Sequence, residues 1–240
     1  MNRYSSWGRY PEHNPADVRP VHWRQDSIPL DGDGTPVLPY GIGRSYGDSC
    51  LNDGGLVLDM TGLDRFISFD PARGVIRCEA GVTLEQVLEL VVPRGWFLPV
   101  TPGTKYVTVA GAIANDVHGK NHHVAGTFGK HVTRFELLRS DGSRLECTPR
   151  KNADLYKATI GGLGLTGLIT WAEFRLSRIA NPFISMETVK FGNLDEFMQI
   201  SRESDRDYEY TVAWIDCAAS SSAIGRGLFM RGNHAGARLG

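Results

Sequence analysis

Hydrophobic residues along this chain fall in short runs broken by Gly, Asp and Pro, a pattern that predicts many brief strands. Runs of strand length cover residues 36–40, 56–60, 66–69 and 74–79. A helix follows. Thr83 is placed as its N-cap and Gln86, three positions on, completes a capping box. Leu84, Val87, Leu88 and Val91 then recur at helical spacing and predict one buried face, with Pro93 and Gly95 as stops. Residues 97–100 read as another strand. Residues 108–114 are small and apolar throughout, which suits a helical turn packed tightly against other backbone.

Further along, residues 135–138 and 144–147 flank Asp141-Gly142, a hairpin signal. Asn152 is positioned to cap a short helix through Ala158, which Gly161-Gly162 ends. Residues 168–176 alternate as a strand, with Leu168, Ala172, Phe174 and Leu176 on one face and Thr170 as the polar exception. Residues 186–191, 194–200 and 208–216 then read as strand, helix and strand, followed by an apolar run at 227–230. The looser sequence around Pro182 marks a junction near residue 178, and residues 178–240 are too few to bury a sheet comfortably alone. At the other end, residues 1–35 are polar and rich in Pro and Gly, and predict a surface arm with one short helix.

The 240 residues are 41% hydrophobic, enough for a substantial core. Net charge is −1 and the Lys and Arg residues are dispersed, which argues against nucleic acid or a strongly anionic membrane surface as partner. Cys50, Cys78, Cys147 and Cys217 lie far apart with no C-x-x-C pair, as expected of free thiols in a reducing compartment. No apolar run reaches transmembrane length and the first residues lack an apolar signal core, so the expectation is a soluble, cytoplasmic protein.

The chemistry concentrates in two glycine-rich segments about sixty residues apart: Gly41-Ile42-Gly43-Arg44-Ser45-Tyr46-Gly47-Asp48, and Pro102-Gly103-Thr104-Lys105 running on to Asn115-Asp116-Val117-His118-Gly119-Lys120. Glycine beside short polar donors lets backbone N–H groups approach a phosphate or a flat ring. Two such loops imply one extended ligand held at both ends. The first is not a Rossmann fingerprint, since its third Gly falls one position late and turn residues follow instead of a helix. It is not a P-loop either, for want of Gly-Lys-Ser/Thr. His118, His122 and His123 invite a metal. Gly119 and Asn121 between them are poor helix formers, and no Glu stands where a zincin would use one. Hydrogen bonding is the better reading for His122 and His123, with no metal, while His118 sits where imidazole could serve a reacting oxygen. No G-x-S-x-G elbow supports a hydrolase. Tyr208, Tyr210, Val212 and Trp214 alternate on one strand face and read first as core, second as a flat apolar wall for a ligand.

These segments, together with Asp116-Val117-His118-Gly119-Lys120-Asn121-His122-His123 and Gly164-Leu165-Thr166-Gly167-Leu168-Ile169, resemble flavoenzymes of the vanillyl-alcohol oxidase/para-cresol methylhydroxylase type. The resemblance runs from about residue 36 to Asp216. It implies an α+β fold: an FAD-binding domain of two subdomains over residues 1–177, then the start of a substrate domain with an antiparallel sheet over 178–240. Gly41, Ile42, Gly43, Arg44, Ser45, Tyr46, Gly47 and Asp48 would hold the pyrophosphate. Gly103, Thr108, Val109, Gly111, Asn115, Val117 and His118 would line the remainder of FAD, and Ile169 would approach it through its main chain. Tyr46, Lys120 and Trp214 would face the substrate, with His118 and Lys120 in catalysis. Covalent members often carry His where Arg44 stands, so Arg44 and Asn115 imply non-covalent FAD. The implied activity is oxidation of an alcohol of a sugar or polyol, free or polyprenyl-phosphate-linked, in cell-wall synthesis, in the cytoplasm or peripheral to the inner membrane. The family's substrate domain continues well past residue 240, which implies a partner subunit or a missing C-terminal half. The alternatives are a flavin-dependent reductase of a cell-wall precursor and a flavin-binding fragment without turnover.

Overall fold

The structure, a computed structural model, describes residues 4–26, 28 and 34–236. Its first sheet is small and parallel. Strand β1 (Asp17–Pro20) and β2 (Val37–Tyr40) flank β3 (Leu56–Asp59), whose four residues are all buried, as a central parallel strand requires. The arm is thus more ordered than its composition predicts. Asp17 to Pro20 pair in register with Leu56 to Asp59 and satisfy a strand edge that would otherwise stand open. The short helix expected there is absent among the described residues; residues 1–3, 27 and 29–33 lie outside them.

The main sheet is antiparallel and five-stranded. Its members are β4 (Phe66–Asp70), β5 (Val75–Glu79), β7 (Val132–Leu138), β8 (Arg144–Cys147) and β9 (Leu168–Arg175), in the order β4-β5-β9-β7-β8. Between β5 and β7 come α1 (Leu84–Val91), β6 (Trp96–Phe97), α2 (Val109–Ala114) and α3 (His122–Ala125). The capping box at Thr83 forms as predicted: Gln86 N donates to Thr83 Oγ1 and Thr83 N to Gln86 Oε1. Leu84, Val87 and Val91 are buried and Leu88 packs partly against them. The strand expected over 97–100 shortens to Trp96–Phe97, because Pro99 brings no N–H for a ladder. The helix after Asn152 is α4 (Ala153–Thr159), yet Asn152 does not cap it. Its φ is 52° and its Nδ2 donates instead to Glu146 O.

Strand β9 shows why Thr170 broke the alternation. Glu136 pairs with Trp171 and Leu137 with Ile169, so Thr170 is the extra residue of a β-bulge. A one-residue bulge exchanges the faces on either side of it. Ala172 and Phe174 accordingly join the core under α1 and α2, while Leu168 joins a second core with Leu56, Leu58, Met60 and Leu138 against the parallel sheet. The single face expected for Leu168, Ala172, Phe174 and Leu176 is therefore divided. Thr170 is buried and donates to Glu136 Oε1 at 2.7 Å.

Past β9 come β10 (Ser177–Arg178), which pairs with β6, then β11 (Ile184–Phe191), α5 (Leu194–Ser204), β12 (Tyr210–Ile215) and β13 (Gly227–His234). The last three strands form an antiparallel sheet in the order β11-β13-β12. Phe197 of α5 meets Phe191 and Phe229, with ring centroids 5.5 and 6.0 Å apart. Phe229 pairs with Ala213, so α5 covers the face of β12 that carries Ala213. Tyr210, Val212 and Trp214 lie on the opposite face. They are not core, as first expected: Trp214 is 72% exposed and the others are partly exposed.

A second bulge, at Thr133 of β7, organises the open face of the main sheet. Thr133 Oγ1 donates to Glu173 at 2.8 Å, and Arg77 and Arg134 bond the same carboxylate at 2.7 and 2.8 Å. Burial alone would push that carboxyl up; the hydrogen bonds from Arg134, Arg77 and Thr133 outweigh it and hold it down at about 2. A depressed carboxyl contributes stability that is complete above its unfolded value of 4.5 and is lost as pH falls toward 2. Glu173→Gln should therefore cost roughly 1–3 kcal/mol at pH 7. The difference from the parent should shrink between pH 4.5 and 2. Urea unfolding at pH 7 and at pH 3 measures both.

Candidate cofactor cavity

Strand β2 delivers the first glycine loop. Its last residue, Tyr40, is buried and donates through Oη to Ser5 O at 2.7 Å; burial first pushes that phenol up to about 12. The hydroxyl and the Ser5 carbonyl fill the space a Cβ at Gly43 would occupy, and Gly43 has φ +64°. Only glycine fits there. At Gly41 a Cβ would stand 2.7 Å from Thr108 Oγ1, so the first loop passes directly over the start of α2.

Thr108 caps α2, its Oγ1 accepting from Gly111 N at 3.1 Å. The helix lies close to its surroundings through backbone bonds: Val109 N to Val82 O, Ala110 N to Ala80 O, Gly161 N to Ile113 O and Leu163 N to Ala114 O. Its last residue leads into Asn115, whose Nδ2 donates to Gly111 O and whose Oδ1 lies 3.5 Å from Ser45 Oγ. That contact links the two glycine loops.

Between them opens a cavity of about 520 Å³. From the first loop Gly41, Ile42, Gly43, Arg44, Ser45 and Tyr46 line it; Gly47 and Asp48 follow outside. From the second come Gly103, Thr108, Gly111, Asn115 and Val117, and from β9 comes Ile169. Val109 lies beneath, fully buried in the core. His118, Lys120 and Trp214 do not line the cavity. His118 is exposed next to Val117, its ring edge-on to His122 at 5.9 Å. Lys120 is exposed too, and its carbonyl accepts from Thr211 N at 2.9 Å. Trp214 sits on the same strand as Thr211. His122 and His123 are hydrogen-bonded through Gly119 O and Tyr208 O. Among the described residues no group of three or more His, Cys, Asp or Glu could hold a metal.

The cavity also uses residues that sequence reasoning passed over. Trp7 of the arm reaches it because Trp7 N donates to Ser45 O at 3.1 Å. Nothing in the arm's own sequence signals that. Gly164 and Gly167, with φ +82° and +138°, form the rim beside Ile169; the family resemblance marks their segment but assigns a role only to Ile169. Cys50 lines it as well, and burial pushes its thiol up, so the sulfur is protonated at neutral pH.

A long, flat, phosphate-bearing ligand fits this donor set. Small apolar side chains and glycine backbone make up much of the wall, with Trp7, Tyr46 and Met60 beside them; no carboxylate lines it, and Arg44 supplies a cation at the first loop, Nη1 bonded to Ile42 O and the guanidinium over Trp7. The fold and cavity define an α+β nucleotide-cofactor domain. Residues 30–148 match the family described as FAD binding domain. The chain is 41% identical to decaprenylphosphoryl-beta-D-ribose oxidase of Mycolicibacterium smegmatis over 83% of its own length and 44% of that protein's. It is 40% identical to the "uncharacterized protein in mprA 5'region" of Streptomyces coelicolor, over 64% of this chain and 41% of that one. It is 35% identical to Delta(24)-sterol reductase of Homo sapiens, over 49% and 23%. The chain thus spans less than half the length of these curated relatives. The match over residues 30–148 supports FAD as the cofactor, and the chain resembles FAD-binding oxidoreductases.

Gly43→Ala should strain a left-handed position and displace Tyr40. A loss of roughly 1–3 kcal/mol and most of the bound flavin is expected. Gly47→Ala, at φ +62° but facing open space, should cost less and keep the flavin. Melting curves and the flavin absorbance of purified protein, read side by side, check this.

Proposed function

We propose that this chain is the cofactor-binding portion of an FAD-dependent oxidoreductase that oxidises an alcohol carbon of a sugar or polyol, free or lipid-phosphate-linked. The observation that carries it is the glycine-lined cavity joined to a chain 41% identical to a ribose-derivative oxidase. Bound FAD supplies the hydride acceptor at its ring. On this reading residues 1–177 clasp FAD between the parallel and the five-stranded sheet, and residues 178–240 begin the substrate side. Gly41 to Tyr46 hold the pyrophosphate, and Gly103, Thr108, Gly111, Asn115, Val117 and Ile169 hold the remainder, with Val109 supporting that wall from the core beneath it. His118, next to a lining residue and free of the hydrogen bonds that tie His122 and His123, orients or polarises the substrate hydroxyl. Lys120 meets an anionic part of the substrate, and Tyr46 and Trp214 contribute flat surface. Among the described residues no helix is long and apolar enough to cross a membrane.

Arg44 and Asn115 support non-covalent FAD. So does the protonated state of Cys50, the one thiol lining the cavity among the described residues. Denaturation should release the yellow colour into the supernatant; colour retained on the precipitate would show a covalent bond. In a full-length form, His118→Ala should slow single-turnover flavin reduction by at least about tenfold with little change in FAD content. An unchanged rate removes His118 from the chemistry.

The relation to a sterol reductase favours one second reading, a flavin-dependent reductase fed by a nicotinamide. Anaerobic mixing with NADPH separates the two. Rapid bleaching of the flavin supports the reductase, and bleaching only by a polyol supports the oxidase.

A further inference from the structure

A second groove, of about 730 Å³, adjoins the cofactor cavity. Asn115, Val117 and Thr159 line the cavity, while their neighbours Asp116 and Ile160 line the groove. Four cations face into it: Lys130, Arg150, Lys157 and Arg175. Among the described residues none of the four makes an ion pair, although Arg and Lys elsewhere in the fold commonly do. The nearby carboxylates are already engaged. Glu173 is taken by Arg77 and Arg134, Glu146 by Arg134 and Lys151. Asp116, the lone carboxylate lining the groove, accepts from Gly129 N at 2.9 Å.

The positive field is felt inside the groove. Burial pushes the His131 imidazole down, its hydrogen bond to Ala125 O opposes this, and the charges of Lys130 and Arg175 add smaller pushes downward. Like charges gathered in one concavity repel, and an anion that meets several at once relieves that repulsion. Neighbouring turn geometry holds Arg150 in place, since Arg150 N and Lys151 N both donate to Thr148 Oγ1. Guanidinium forks beside ammonium groups suit phosphate oxygens, several cations together favour a multiply charged anion, and the volume matches a small molecule.

We propose that this groove is a binding site for a phosphate-bearing polyanion, separate from the FAD cavity. It does not rest on the oxidoreductase reading, and FAD binding stands whether or not it holds. Free phosphate esters and phospholipid headgroups share this chemistry, so the test has two arms. With excess FAD filling the first cavity, the full chain is titrated calorimetrically with tripolyphosphate, and separately floated with phosphatidylglycerol or phosphatidylcholine vesicles. Binding in either arm should weaken about tenfold or more in Lys157→Gln/Arg175→Gln. It should persist in the charge-matched Arg73→Gln/Lys190→Gln, which alters exposed cations outside the groove. Tripolyphosphate binding identifies a soluble ligand; capture by phosphatidylglycerol vesicles alone identifies a headgroup. Absence of binding in both arms overturns the proposal, as does an equal loss in the two double variants.

Discussion

The fold depends on how closely the backbone of α2 approaches its neighbours. Six residues from Val109 to Ala114, none with a large polar side chain, sit against three separate segments. Backbone bonds run to Ala80 and Val82, to Gly161 and to Leu163, and Thr108 presses on Gly41 of the first loop. A bulky residue on the crowded side would push these apart. A lost cap at Thr108 would free Gly111 N and cost on the order of 1 kcal/mol. Because Gly111, Asn115 and Val117 also line the cavity, the contact that joins the sheets is the one that shapes the cofactor wall.

Glycine serves this arrangement at two positions for different reasons. Gly43 needs its left-handed backbone and the space filled by Tyr40 Oη; Gly41 needs only the lack of a side chain against Thr108. The arm adds a third restraint, since Ser5 O accepts from Tyr40 and Trp7 N holds Ser45 O. The cavity is thus made by residues far apart in sequence, brought together by backbone bonds more than by side-chain packing.

That explains what could be read from the sequence. The capping box at Thr83, the Asp141-Gly142 hairpin and the helical turn at 108–114 are local, each fixed by residues within a turn of one another, and each forms. The glycine loops were legible because their composition reports a close approach. Long-range effects were not. Strand β1 forms because β3 has an open edge, which residues 17–20 do not announce. The division of β9 between two cores follows from a bulge at Thr170, visible only as a polar residue in an apolar run. The exposure of Tyr210, Val212 and Trp214 was decided by which face α5 covers, a choice that alternation alone leaves open. Asn152 stands at the right position to cap α4 but bonds Glu146 O instead, since its own backbone is left-handed.

The segment after the second loop carries a further consequence. Lys120 O accepts from Thr211 N, His123 Nε2 bonds Tyr208 O, and the buried Asn121 reaches Pro99 O and Glu209 Oε1. Three successive bonds therefore tie residues 120–123 to the approach and first turns of β12. They fix the strand bearing Trp214 relative to the loop bearing His118, without any of these side chains entering the cavity. A tie of this kind, one backbone bond and two through the side chains of Asn121 and His123, holds two surfaces at a set separation while leaving His118 and Trp214 outside it. The exposed Trp214 of β12 and the exposed imidazole of His118 are thereby carried on segments that are bonded to each other, outside the cofactor cavity.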